Sequence, residues 1–415
     1  MGDENVDFVL HSDLNCFYAS VEMVENPSLR DKPIAVCGST DDRHGIVLTK
    51  NYLAKPYGIR TGEANWQARQ KCPGLIMVKP HYELYLRYSA YVKKIYGEFA
   101  ENIEPFGMDE CWLSLNNLKD IHEAEHLAHC IRKKIYSETG LTVSVGVSFS
   151  KIFAKLGSDM KKPDAVTVIS KENYREKVFP LPVCELLYAG PATTRRLRFH
   201  NVFTIGELAS TDGELIRSWL GKNGLMLHAF ACGQDGTAVC PDNFTFPILS
   251  VGHGATCIRD LETNYEVWLC ILDLSQDIGK RLRNNELSAQ GVELAVRDCE
   301  LVTHSFQTQL SFTTQSPLDL ARVAYTLFRL NYNWKRNIRS LTVRAIRLKE
   351  AGTPAQLDLF GDYVHAEKIR RMEDAIYDIR ARYGKNSICS ASQMGSPEMA
   401  KDQCEIVPMP GMMYR

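Results

Sequence analysis

The sequence lacks the features that would set it outside the ordinary soluble, globular class. No stretch of its 415 residues approaches the roughly 20 consecutive apolar residues of a membrane span, so no membrane is expected among its partners. The opening MGDENVDFVL carries acids where a signal peptide needs a basic region and then a long apolar run. No Cys-x-x-Cys occurs among 13 scattered cysteines, which suggests neither a zinc ribbon nor a disulfide framework; a reducing, cytoplasmic compartment is the expectation. Net charge is nearly absent, at -1, so any basic surface must come from local distribution. No internal repeat is found. The 45% hydrophobic and 24% charged content is that of a folded chain, with length enough for about three domains.

What is present is organised. Val6, Phe8 and Leu10 alternate with Asp7 and Val9 and run into His11-Ser12-Asp13, which predicts a strand delivering Asp13 at its C-terminal end. A short helix is predicted from Phe17 to Glu25, before Asn26-Pro27. Residues 32–37 and 45–50 read as strands, and 82–101 and 120–138 as helices. Between those helices IEPFGMDECWLSL reads as strand, tight turn, strand, carrying Asp109 and Glu110 just after Gly107. A half-buried strand over 142–149 and a helix from Lys151 towards Met160, ending before Pro163, complete a mixed α/β half. From about residue 172 the texture becomes helical and glycine-punctuated, and 245–350 returns to alternating β and helical segments. One more amphipathic helix is predicted over 365–382.

Several residue sets could carry chemistry. Asp13, Asp109 and Glu110 sit at strand ends or in a hairpin. Adjacent strand residues face opposite ways, so Asp109 and Glu110 converge only with help from a turn, which Gly107 permits. Gathered carboxylates repel unless a cation lies between them, and oxygen donors without His or Cys favour Mg²⁺. After Asp13 the chain turns through Asn15, Cys16, Phe17 and Tyr18 into a helix start, whose free N–H groups suit phosphate oxygens. Lys162 precedes Pro163, where its ammonium can project into a cleft. LLYAGPATTRRLRFHNVFTIGELAS reads as a helix-hairpin-helix in which Gly190 makes the turn and Arg195, Arg196 and Arg198 follow, able to grip a DNA phosphate without reading sequence. From Arg322 to Lys349 the basic residues Arg322, Arg329, Lys335, Arg336, Arg339, Arg344, Arg347 and Lys349 occur without one Asp or Glu, which points to a backbone-tracking surface.

Taken together and in order, DLNCFYASVE, KPIAV, NYLAKPYGIRTG, MDECWLSL, TVSVGVSFSKIFAKLGSDMKKP and GPATTRRL resemble the Y-family (DinB/UmuC type) translesion DNA polymerases over roughly residues 7–390. The later strings QLDLF and YGKNSI look closer to the bacterial UmuC-like branch. The resemblance implies an α/β right hand with an α+β palm (1–16 and 85–170), small fingers (17–84), a helical thumb with its helix-hairpin-helix (171–236) and an α/β little finger (245–350). A clamp-binding linker (351–364), a C-terminal helix (365–390) and a tail (391–415) would follow.

The same resemblance implies low-fidelity, template-directed synthesis from dNTP on primer-template DNA, with two Mg²⁺ ions. Asp13 and Asp109 would ligate both ions with help from the Leu14 carbonyl, and Glu110 would be the catalytic acid nearest the primer 3′-OH. Tyr18 would be the steric gate against a ribose 2′-OH, while Tyr52, Lys55 and Lys162 would hold the triphosphate. Lys55 stands where the family usually has Arg, Gly107 where it often has Ser, and Tyr188-Ala189-Gly190 where it often has Gly-x-Gly. Gln356, Leu357, Leu359 and Phe360 resemble the peptide that docks on the β sliding clamp, and apart from that clamp a monomer is expected.

Overall fold

The computed structural model describes residues 6–38, 45–241, 247–352, 363–384 and 387–391. Gln356, Leu357, Leu359 and Phe360, with the segment from 392 onward, lie outside the described residues. The chain divides into two compact units, one running to Phe246 and one starting at Pro247.

The first unit is built on a five-stranded sheet. Its elements in chain order are β1 (Val6–Leu14), α1 (Phe17–Glu25), β2 (Ile34–Cys37), β3 (Val47–Lys50), α2 (Asn65–Lys71), β4 (Ile76–Val78), α3 (Tyr82–Tyr96), β5 (Asn102–Pro105), β6 (Glu110–Leu118), α4 (Ile121–Thr139), β7 (Val143–Ser148), α5 (Lys151–Met160) and β8 (Val166–Ile169). The large sheet has the order β5-β6-β1-β7-β8, which places β1 at its centre, and a three-stranded sheet has the order β3-β2-β4. Central position explains why β1 reads apolar: Leu10 and Leu14 are buried in the same core as Val143, Val145 and Val147 of β7. Helix ends follow local chemistry. The Asp120 carboxylate accepts from the N–H groups of His122 and Glu123 to start α4, and left-handed Gly140 closes it. The Ser150 hydroxyl accepts from Phe153 N–H to start α5.

Four helices complete this unit: α6 (Tyr174–Val178), α7 (Pro191–Phe199), α8 (Ile205–Ser210) and α9 (Gly213–Ala231), with a separate core that includes Leu197, Ile205, Ile216 and Leu227. The segment 82–101 was expected to be helical throughout, but α3 stops at Tyr96, where Gly97 and a turn lead the chain back into β5.

The second unit comprises β9 (Ser250–Leu261), α10 (Asn264–Asn284), β10 (Leu287–Asp298), β11 (Thr303–Thr314), α11 (Pro317–Asn331), β12 (Ile338–Glu350) and α12 (Tyr363–Tyr383). Its antiparallel sheet has the order β11-β10-β12-β9, with α10 and α11 burying Ile271, Leu274, Ile278, Leu320, Ala324 and Phe328 in the core they share with it. Arg347 departs from strand geometry with φ 53. Strict alternation would put Arg344 and Lys349 on opposite faces, yet beyond this left-handed residue Leu348 packs with the core while Arg347 and Lys349 are exposed. The bend is what lets the arginine and lysine of this stretch share an outer face.

Candidate active site

The site begins at the register of β1. Asp13 pairs with Glu110 of β6 on one side and Ser144 of β7 on the other, while His11 pairs with Trp112 and Gly146. Since side chains alternate, His11, Asp13, Glu110 and Trp112 share one face of the sheet. Asp109 precedes β6 in a turn that the Phe106 N–H closes on the Glu110 carbonyl at 2.9 Å, and Gly107 in that turn has φ 120. Only glycine adopts that conformation comfortably, which suits Gly107 to this turn. The Asp109 carbonyl then accepts from Leu14 N–H at 2.9 Å, tying the hairpin to the end of β1.

Helix α5 brings the positive charge, and glycine lets it approach. A Cβ at Gly146 would lie 1.9 Å from the Ala154 carbonyl oxygen, so α5 rests directly on β7. That contact carries Lys155, Ser158 and Asp159 over the carboxylates. Lys155 Nζ lies 3.0 Å from Glu110, 3.3 Å from Asp13 and 3.0 Å from Asp159; Lys162 Nζ lies 2.8 Å from Asp13 and 2.9 Å from Asp159. The surrounding carboxylates raise the pKa of both lysines against the opposing effect of their burial. Asp109 is pushed up to about 7, first by burial and then by the charges of Asp13 and Glu110. Glu110 is lowered: its burial opposes this, but His11 and Lys155 stabilise its charge. Burial lowers the pKa of His11, against the pull of Glu110.

Tyr18 stacks on Tyr85 with centroids 4.3 Å apart, and its hydroxyl points to Met108 Sδ at 3.5 Å. Burial and the neighbouring Asp109 charge push its phenol up to about 12, so it stays protonated beside the acids. Tyr52 has a buried hydroxyl, raised by burial and by Cys16 and Asp13, and the Lys55 ammonium lies 3.7 Å from its ring centroid. Cys16 is left-handed (φ 49) and caps α1, whose first turn leaves N–H groups without intrahelical partners, and Phe17 is buried. Asn15 differs from expectation. Its N–H donates to the Thr142 carbonyl, and its amide joins Ser144 and the Asp164 N–H, so it braces the loop rather than offering a free donor.

The basic residues fare unevenly. Gly190 caps α7, and Arg195, Arg196 and Arg198 are exposed on it. Tyr188 has φ 69, a conformation glycine would adopt at lower cost. In the second unit the stretch without acids in sequence meets acids in space: Arg344 lies 3.1 Å from Glu293 of β10, and Arg336 lies 3.2 Å from Asp298 and 2.6 Å from Glu300. Arg347 donates to Gln309 at 2.5 Å, and Arg339 is half-buried. Acids of the neighbouring strand and of the turn after it thus pair with two arginines of a stretch that itself contains none.

Sequence reading missed His11, Lys155, Ser158 and Asp159. His11 was within reach, since it shares a strand face with Asp13 two residues on. Lys155 and Asp159, four apart on a helix, carried a signal too, but their target depends on the Gly146 contact.

Residues 12–159 match the model of the impB/mucB/samB family, and residues 249–359 match that of its C-terminal domain. The chain belongs to the Y family of translesion DNA polymerases. It is 45% identical over 381 residues to DNA polymerase IV of Acetivibrio thermocellus, covering 92% of this chain and 96% of that one. It is 33% identical to DNA polymerase IV of Moorella thermoacetica, covering 92% and 94%. Among solved structures, a Y-family DNA polymerase chimera superposes with a TM-score of 0.72 at 24% identity, over 82% of this chain and 98% of that one, which supports the right-hand fold. These relatives carry the DNA polymerase IV name, so the UmuC-like leaning read from QLDLF and YGKNSI finds no support in them. The activity of this Y-family member is template-directed, translesion DNA synthesis.

Family membership implies a divalent metal requirement. Among the described residues no three His, Cys, Asp or Glu side chains stand in a ready-made ligating cluster. The donor chemistry nonetheless suits a hard cation: Asp13 lies opposite Glu110, Asp109 is tied to the end of the same strand through the Leu14 N–H, and all three offer oxygen. No described helix is long and apolar enough to cross a membrane.

Proposed function

We propose that Asp13, Asp109 and Glu110, with the Leu14 carbonyl, hold two Mg²⁺ ions. Bound there, the ions would lower the pKa of the primer 3′-OH and neutralise the departing pyrophosphate. The observation that carries this reading is the register that sets Asp13 opposite Glu110, with the Leu14 N–H bonded to the Asp109 carbonyl so that the hairpin acid is tied to the end of the same strand. Glu110, kept ionised by Lys155 and His11, is the catalytic acid nearest the primer end. Tyr18, its ring fixed on Tyr85, is the steric gate that closes the space a 2′-OH would need. Tyr52, Lys55 and Lys162 hold the triphosphate, and the N–H groups of Cys16, Phe17 and Tyr18 receive its oxygens. Lys55 supplies a point charge in place of a guanidinium fork.

The five-stranded sheet with α3–α5 is the palm, β2–β4 with α1 and α2 the fingers, α6–α9 the thumb and the sheet of the second unit the little finger. Gly190, Arg195 and Arg196 in the thumb, and Arg336, Arg339, Arg344 and Arg347 in the little finger, track the primer-template backbone. Gln356, Leu357, Leu359 and Phe360 dock the chain, otherwise a cytoplasmic monomer, on the β sliding clamp. The deciding experiment is primer extension in Mg²⁺ by Asp109→Ala, which abolishes synthesis while primer-template affinity persists. Normal extension by that variant overturns the assignment.

A further inference from the structure

Glu110 differs from Asp13 and Asp109 in being held from behind. The His11 ring is fully buried on the strand face that carries Asp13, and its Nε2 lies 3.2 Å from Glu110 Oε2. Its Nδ1 lies 2.8 Å from Ser158 Oγ, and Ser158 Oγ also lies 2.8 Å from the Lys155 carbonyl. The ring edge packs against Trp112, with centroids 5.2 Å apart, and Trp112 is pinned by its Nε1–H to the Lys151 carbonyl at 3.0 Å. Gly146, paired with His11, admits the helix that carries Ser158.

We propose that His11, aligned by Ser158, is a positioning residue for Glu110: an Nε2–H donor that fixes the carboxylate in the rotamer its metal-ligand role needs. The proposal rests on the reading of Glu110 as a ligand.

The placement of hydrogens follows from counting donors. A serine hydroxyl has one proton. If Ser158 spends it on the Lys155 carbonyl, its oxygen must accept from His11 Nδ1–H. A neutral ring then presents a bare Nε2 lone pair to the Glu110 carboxylate in a buried place, two acceptors facing each other. If Ser158 instead donates to His11 Nδ1, the ring proton sits on Nε2 and donates to Glu110, while the Lys155 carbonyl keeps its ladder partner inside α5. A ring protonated on both nitrogens donates from Nε2 as well, so every arrangement that satisfies the buried groups aims an Nε2–H at Glu110 Oε2, 3.2 Å away. A ligand's orientation set through such an outer partner typically governs metal affinity by 10- to 100-fold.

The test compares His11→Phe, His11→Gln and Ser158→Ala with the wild-type chain. Each is measured by Mn²⁺ titration followed by electron paramagnetic resonance, and by steady-state primer extension. His11→Phe is expected to weaken Mn²⁺ binding on the order of 10-fold and to lower kcat in step, with KM for the nucleotide and primer-template affinity unchanged. His11→Gln, whose amide N–H reaches towards the Nε2 position, should recover most of both. Ser158→Ala, which keeps the ring but loses its alignment, should show a smaller loss in the same direction, and it decides the matter if His11→Phe fails to fold. Wild-type Mn²⁺ affinity and kcat in His11→Phe or in Ser158→Ala overturns the proposal, as does a Gln variant no better than Phe. A wild-type chain that binds Mn²⁺ but extends no primer overturns the polymerase assignment instead, and the Mn²⁺ comparison still judges His11.

Discussion

Replacing Asp109 by Asn should stabilise the first unit, by an amount that depends on pH. Asp109 is pushed up to about 7 from an ordinary 3.8 by burial and by Asp13 and Glu110. Across that interval the folded chain holds a proton that the unfolded chain has lost, so stability falls as pH rises, and the loss is complete above pH 7. At about 1.4 kcal/mol per unit the full displacement corresponds to about 4 kcal/mol at pH 8 and about 2 kcal/mol at pH 5.5. Asp109 keeps some solvent contact, and screening brings these to roughly half. Asn has the shape of the protonated acid and escapes the penalty. Urea denaturation in EDTA, followed by far-ultraviolet circular dichroism, should therefore find Asp109→Asn more stable by about 1 kcal/mol at pH 5.5 and about 2 kcal/mol at pH 8. Millimolar Mg²⁺ should shrink the difference, because it stabilises the chain with all three acids. An Asn variant no more stable than wild type at pH 8, or an advantage that does not grow from pH 5.5, would refute the reasoning.

The other expectations are more direct. Tyr18→Ala should raise ribonucleotide incorporation relative to deoxyribonucleotide by at least about tenfold, the ratio that roughly 1.4 kcal/mol of lost steric exclusion gives; paired steady-state kinetics decides, and unchanged sugar selectivity would reduce Tyr18 to packing. Arg344→Ala with Arg347→Ala should weaken DNA binding on all sequences alike and flatten its salt dependence by up to about two units of slope. Freed Glu293 adds repulsion in that variant, so affinity and slope both left unchanged would turn these arginines away from DNA. Gln356→Ala with Leu359→Ala and Phe360→Ala should abolish clamp binding in a titration while clamp-independent extension persists.

Local pattern carried the sequence reading a long way at the site, and the reason is geometric. A strand ending in Asp13 and a hairpin bearing Asp109 and Glu110 are written in alternation and in one turn, both of which depend on near neighbours. Their pairing, Asp13 opposite Glu110, then follows from two strands lying side by side. The counter-charge was not legible in the same way. Lys155 reaches Asp13 and Glu110 because α5 settles on β7 at Gly146, a contact between a helix and a strand with no mark in the intervening turn. The basic stretch shows the converse. Its lack of acids is true along the chain and false across the sheet, where β10 contributes Glu293 and the turn after it contributes Glu300.

Burial raises the pKa of Asp109 first, and the charges of Asp13 and Glu110 add to it; the distribution of ion pairs shows why so little opposes them. Lys155 divides its contacts among Asp13, Glu110 and Asp159, and Lys162 bonds Asp13 and Asp159. Among the described residues no ion pair reaches Asp109, and the nearby Lys93 spends a hydrogen bond on the Gly107 carbonyl at 3.2 Å. The site's positive charge is thus committed to one side of the cluster, and the repulsion left over falls on the hairpin acid. A cation held by Asp13, Asp109 and Glu110 would meet carboxylates that Lys155 and Lys162 already bond. Its affinity would then depend on competition with two ammonium groups as well as on the carboxylates. On this account Lys155→Met should tighten Mn²⁺ binding even as it loosens the carboxylates' alignment. Weaker binding in that variant, in a chain that melts like wild type, would mean that Lys155 serves to place Glu110 and does not compete for it.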